Sequence, residues 1–224
     1  DKLEQRGFNF DWGDGDIPGE IQSLRLLLPS GFKLKLVVLE DAKYPHSDEV
    51  AYSSRTAITP QDFDHVNIRS PNLKEDVTFL VDHLGFHISE IIGTKEEWDR
   101  AFIRCNEQHH DIAMGPCSPN ASHASLHHLS FKYADVDHMK RAIDRIVMSG
   151  IELERAFGRH FAGDNLFSYF WSPCGNRVEL TAEMATIYSE ETVYLPPDIS
   201  PGTAWGSESP ESFNSGSGIV GHEE

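Results

Sequence analysis

The sequence predicts an α+β fold of two paired strand–helix–strand modules, whose sheets curve around a shared polar centre. Three observations carry this prediction. A strand, a helix and a closing glycine occur twice: His65 and His128 stand 128 − 65 = 63 residues apart, and Gly85 and Gly150 stand 150 − 85 = 65 apart. The strands at His65, His128 and Glu179 each carry one polar and one apolar face. The 224 residues are also enough to bury a sizeable core, in one large domain or two small ones.

The first module opens with a strand over Asp64–Ile68. A helix from Pro71 to Leu84 follows, and Gly85 suits the left-handed position past its end. Strands are expected over Phe86–Ile92, Trp98–Asn106 and Asp111–Met114. The second module opens with a strand over His127–Phe131. Its helix runs from Asp135 to Ser149, with Asp135 or Asp137 as N-cap and Gly150 past the end. Met139, Ile143, Ile146 and Val147 form its apolar stripe. Strands over Phe167–Trp171 and Arg177–Ala182 flank a turn at Ser172–Asn176.

A third similarity divides the chain. Leu26 to Leu36 matches Phe170 to Leu180 through strand, Pro-x-Gly turn and strand, with the glycines 175 − 31 = 144 apart. On that offset the counterpart of His65 falls before residue 1, and Lys35 occupies the position of Glu179. Residues 1–38 are therefore expected to be the end of a truncated or separately cleaved, non-catalytic N-terminal domain. Residues 39–60 read as a linker and 61–187 as a complete metal-binding catalytic domain. Residues 188–224 read as an acidic Pro/Ser/Gly-rich tail, extended or disordered at least beyond Gly206.

Composition narrows the function classes. A net charge of −17 repels a phosphate backbone and excludes nucleic acid as a partner. No apolar run approaches the roughly 20 residues of a membrane span, and no signal-peptide pattern opens the chain. Cys105, Cys117 and Cys174 are odd in number and form no C-x-x-C pair, which fits a reducing cytoplasm.

Strand parity then selects candidate ligands. His65, Asn67 and Arg69 share one face, His128 shares a face with Ser130, and Glu179 shares a face with Arg177 and Thr181. His127 falls instead on the face of Leu129 and Phe131, so His128 is the expected ligand. Two imidazoles and one carboxylate on converging strands make a facial triad. Such a triad leaves positions open on a non-haem Fe(II).

Several runs resemble a known family. Asp64-His65-Val66 and Leu126 to Phe131 are similar to the two metal-histidine strands of type I extradiol ring-cleaving dioxygenases, in the vicinal oxygen chelate superfamily. Gly158-Arg159-His160, Tyr169, Pro173-x-Gly175 and Glu179 resemble that family's signature, and His110-Asp111-Ile112-Ala113 resembles its acid/base segment. The match spans about Phe63 to Glu183; Ser168 and Ser172 depart from the family pattern. The resemblance implies the vicinal oxygen chelate fold. It also implies a mononuclear Fe(II), with Mn(II) as the alternative, on His65, His128 and Glu179.

The implied reaction joins a catechol-type diol to dioxygen and opens the ring beside the diol. It leaves a yellow semialdehyde-type product, as in the catabolism of aromatic compounds. His110 would act as acid/base, His160 would bond the deprotonated diol oxygen, and Tyr169, on the face of Trp171, would donate nearby. His109 is expected to face away from His110. Phe157, Phe161, Phe167 and Trp171 are candidates for an apolar pocket wall, and a homo-oligomer is the expected assembly. Competing readings are a metal-dependent glyoxalase-like isomerase or lyase, and a non-catalytic ligand-binding protein of the same fold.

Overall fold

The structure, a computed structural model, describes residues 2–5, 8–40, 58–118, 121–199 and 203–214. Most of the linker reading, at 41–57, and the tail from 215 lie outside them.

The chain begins with one helical turn, α1 (Lys2–Gln5). Strands β1 (Phe10–Gly13), β2 (Glu20–Leu27) and β3 (Lys33–Leu39) form a small antiparallel sheet in that order. The first module comprises β4 (Asp62–Ser70), α2 (Leu73–Leu84), β5 (His87–Gly93), β6 (Trp98–Arg104) and β7 (Ile112–Pro116). The second comprises β8 (Ser125–Lys132), α3 (Val136–Met148), β9 (Leu153–His160), β10 (Leu166–Trp171) and β11 (Arg177–Ala182). Two short strands follow, β12 (Val193–Leu195) and β13 (Thr203–Gly206).

The modules join into one ten-stranded sheet, ordered β12-β5-β6-β7-β4-β8-β11-β10-β9-β13. Its symmetry is that of the sequence repeat. Each module's first strand lies at the centre and pairs in parallel with that module's last strand, β4 with β7 and β8 with β11. The seam between modules is the antiparallel β4–β8 pair. His65, His128 and Glu179 thereby fall on three adjacent central strands, β4, β8 and β11.

Each helix packs its apolar stripe on its own module. Leu73, Val77, Phe79 and Leu80 of α2 bury against Ile91, Ala101, Ile103 and Met114. On α3, Met139 and Ala142 bury against Leu166, Leu180 and Ala182. Val147, expected in that stripe, is 50% exposed. Eight residues beyond Met139, at 3.6 residues per turn, it has rotated away from the buried line. Asp135 is the N-cap, its carboxylate accepting from the His138 backbone N–H.

The hairpin similarity holds in detail. Gly31 and Gly175 both have φ of 82°, the left-handed conformation their turns require. Leu28 N–H donates to Phe32 carbonyl as Ser172 N–H donates to Asn176 carbonyl, each at 2.9 Å. Lys35, opposite Glu179 in this comparison, pairs with Asp16 and Glu20.

Two segments differ from expectation. Strand β9 was not legible, because Gly158 and a fully buried Arg155 break the alternation that marks a strand. The segment after 188 docks on the sheet. β12 pairs with β5 and β13 with β9, and a 3-10 turn at Glu211–Asn214 lies over the polar centre. Phe213 of that turn packs against His127 and Tyr169.

Candidate metal centre

Strand bulges aim the central side chains. Asn67 pairs with His128 but Ile68 pairs with Leu126, so His127 is an extra residue on β8. Asp64 and His65 likewise stand opposite Ser130 alone, between the pairs Phe63–Phe131 and Val66–Leu129. A bulge lets consecutive side chains escape strict alternation. This corrects the parity reading of His127, which lines the same cavity as His128 rather than the opposite face.

His65 Nε2 lies 2.9 Å from Glu179 Oε2, His128 Nε2 lies 3.2 Å from the same oxygen, and the two nitrogens are 3.3 Å apart. All three residues are at most 3% exposed. They form the one group of three or more His, Cys, Asp or Glu among the described residues whose donor atoms converge closely enough for an ion. Three ligands in cis octahedral positions, each about 2.1 Å from an ion, stand about 3.0 Å apart. Although both nitrogens lie within ion-pair distance, Glu179 Oε2 receives no aligned hydrogen bond. The two imidazole nitrogens and this bare carboxylate oxygen all lie within 4.8 Å of one another, and the residues fit a divalent metal.

Outer contacts fix which nitrogen each histidine presents. His65 Nδ1–H donates to Asp64 Oδ1 at 2.8 Å, leaving Nε2 for the centre. His127 Nε2–H donates to the Phe213 carbonyl at 2.7 Å, so neutral His127 has a bare Nδ1. That atom lies 2.7 Å from His128 Nδ1, which must then carry the proton and leave Nε2 bare toward Glu179. Burial keeps both neutral, holding His128 at about 4 and His127 well below the ordinary imidazole value.

His65 behaves differently. Burial opposes its charge, but Glu179 and then Asp64 outweigh burial and raise it to about 9. Burial alone would raise Glu179, yet His65 and His128 hold it well below the usual carboxylate range. In the metal-free protein a proton on His65 therefore takes the charge role of a cation.

The second carboxylate oxygen has its own partners. Tyr169 O–H donates to Glu179 Oε1 at 2.6 Å, and His160 Nε2 lies 2.9 Å from the Tyr169 hydroxyl and 3.3 Å from Oε1. Burial, followed by the Glu179 charge, pushes Tyr169 well above its ordinary value and keeps it a donor. His110 lines the same cavity, with its ring centroid 4.3 Å from that of His65. All six sequence-selected residues are thus brought together.

His109, expected to face away, is buried with its Nδ1 only 2.9 Å from His110 Nδ1. The pair lies between β6 and β7 and not on a strand, so alternation does not govern it. Its Nε2 lies 3.2 Å from Glu90 Oε2. The expected aromatic wall is also different. Ile92, Phe102, Ala113 and Phe213 line the cavity, whereas Phe157, Phe161, Phe167 and Trp171 do not. Phe213 was missed because nothing in the sequence ties residue 213 to β8, where His127 lies 86 residues earlier, or to β10.

The profile of the Glyoxalase/Bleomycin resistance protein/Dioxygenase superfamily matches residues 62–180, more than half of the chain, and the chain belongs to that superfamily. A metapyrocatechase of Geobacillus stearothermophilus is 25% identical over 198 residues, covering 85% of this chain and 60% of its own length. A manganese-dependent 2,3-dihydroxybiphenyl 1,2-dioxygenase of Geobacillus genomosp. 3 is 26% identical, covering 80% of this chain and again 60% of the relative. The chain thus spans about three fifths of these relatives. The Mn(II)-bound glyoxalase of Novosphingobium aromaticivorans superposes with a TM-score of 0.76 at 28% identity, covering 94% of this chain and 67% of that one. Among the described residues no helix is long and apolar enough to cross a membrane.

Proposed function

We propose that this chain carries the catalytic site of an extradiol dioxygenase, which opens a catechol-type ring with dioxygen at one Fe(II) or Mn(II). The observation that carries the reading is the convergence of His65 Nε2, His128 Nε2 and Glu179 Oε2 within 3.3 Å of one another, beside His110, His160 and Tyr169. The two ring-cleaving relatives support the reaction class, and the manganese-dependent relative and Mn(II)-bound neighbour support the metal.

His65, His128 and Glu179 would hold the ion, which supplies open coordination positions and electron transfer between diol and dioxygen. The chain's own groups do the rest. Tyr169 and His160 fix Glu179 by its far oxygen and can turn toward a diol oxygen. His110 is engaged through Nδ1 by His109, so its Nε2 edge is left to take up and return a substrate proton. Burial first, then the His65 charge, keeps His110 neutral. Phe102 and Phe213 supply apolar wall to the cavity.

The test is anaerobic reconstitution with Fe(II) or Mn(II), addition of a catechol, and admission of air. A yellow ring-opened product is expected; bound metal without that product overturns the reading. The glyoxalase neighbour favours a second reading, a metal-dependent isomerase, which would consume no oxygen.

A further inference from the structure

One buried charge in this cavity makes no ion pair among the described residues. Arg69 lies on β4, four residues past His65 on the same face, and lines the same cavity. It is 9% exposed. Its Nε has no hydrogen bond, and its Nη2 makes only a 3.4 Å contact to the Phe213 carbonyl. Gly115, its partner across β7, makes room for it: a Cβ there would stand 2.7 Å from Nη1.

Arg177 shows what a satisfied buried arginine looks like. Its Nε and Nη2 reach the two Glu154 oxygens at 2.6 and 2.8 Å. Among the described residues Arg69 makes no ion pair with a carboxylate; Arg100 and Arg177 add positive charge nearby, offset in part by Asp99, which pairs with Arg100. Burial, and then Arg100 and Arg177, pull it down to about 10, so it remains cationic at neutral pH. Arg100, held 3.5 Å from Asp99, lines the same cavity. A buried guanidinium without an anion is unfavourable unless something pairs with it. Here the open side of that cation is the substrate cavity of a chain whose net charge is −17.

We infer that Arg69, assisted by Arg100, is an anion subsite, and that the diol taken by this cavity carries a carboxylate on its ring or on a short ring substituent. A guanidinium suits a carboxylate because its planar fork can donate two parallel hydrogen bonds. The inference rests on the reading of the site as a diol-binding metal centre.

The experiment is anaerobic calorimetry on the metal-loaded protein, where binding is read without turnover. The probes are 3,4-dihydroxybenzoate, its carboxamide and unsubstituted catechol. The carboxylate is expected to bind on the order of tenfold more tightly than the carboxamide. Arg69→Met should abolish that ratio and Arg69→Lys should keep part of it. Equal binding by the wild type, or a ratio that survives Arg69→Met, overturns the subsite. If neither catechol nor its derivatives bind the metal-loaded protein, the diol reading itself fails. Benzoate titrated into the wild type and Arg69→Met then decides the subsite: saturable binding lost in the variant supports it, and no binding overturns it.

Discussion

His127 Nδ1 lies 2.7 Å from His128 Nδ1, so the proton between them determines which nitrogen His128 offers to the centre. The direction is set from outside, by the Phe213 carbonyl that accepts from His127 Nε2. Removing His127 frees His128 to adopt its other tautomer or rotate. His127→Ala should weaken metal binding about 10–100-fold, the usual cost of losing such a partner. Competition with a chelator measures this, and unchanged affinity would show that His127 does not orient the ligand.

Metal binding should release a proton. With His65 raised to about 9, the metal-free centre carries an imidazolium at neutral pH, whereas His128, at about 4, is already neutral. A metal must displace the His65 proton, so apparent affinity should rise with pH up to about 9. Below that value the slope should be about tenfold per pH unit. Metal titrations in buffers of different ionisation enthalpy count the proton directly. A pH-independent affinity would place His65 outside the metal site.

His110→Ala should leave metal binding largely intact and slow ring opening by about a hundredfold to ten-thousandfold, the usual worth of positioned proton transfer. The structure adds His109 to this prediction. Its Nδ1 lies 2.9 Å from His110 Nδ1, so one proton is shared between the two rings and His109 orients His110. His109→Ala should therefore lower kcat while sparing metal content. Metal analysis with steady-state kinetics of both variants checks this; full turnover in His109→Ala would separate the pair.

The buried Glu154–Arg177 pair fastens β9 to β11, and Arg177 also donates to the carbonyls of His127 and Ser212. Glu154→Ala strands that guanidinium and should destabilise the fold by about 3–5 kcal/mol. Denaturant unfolding of the metal-free protein measures it. A loss below about 1 kcal/mol would mean the backbone carbonyls alone satisfy Arg177.

These predictions divide along what the sequence made legible. Gly85, Gly150 and the Asp135 cap mark helix ends through local chemistry, and alternation around His65 and Glu179 identifies the polar faces. Those signals act over a few residues, and the repeat supplies the long-range frame. Bulges do not announce themselves, so His127 was placed on the wrong face. A strand whose buried position is an arginine, as at Arg155, violates the pattern that would reveal it. The docking of Phe213 depends on carbonyl and ring contacts made only after the sheet has formed. Arg69 was placed on the face of His65 by alternation, but its lack of an ion pair among the described residues could be seen only in three dimensions.

Whether this site joins a diol to dioxygen is read with an oxygen electrode, the Fe(II)- or Mn(II)-reconstituted protein being given a limiting, known amount of a substrate diol. One dioxygen should be consumed per diol, and little or none with Glu179→Gln, which removes the anionic ligand. Diol turned over without oxygen uptake, or equal uptake by Glu179→Gln, would contradict that reaction.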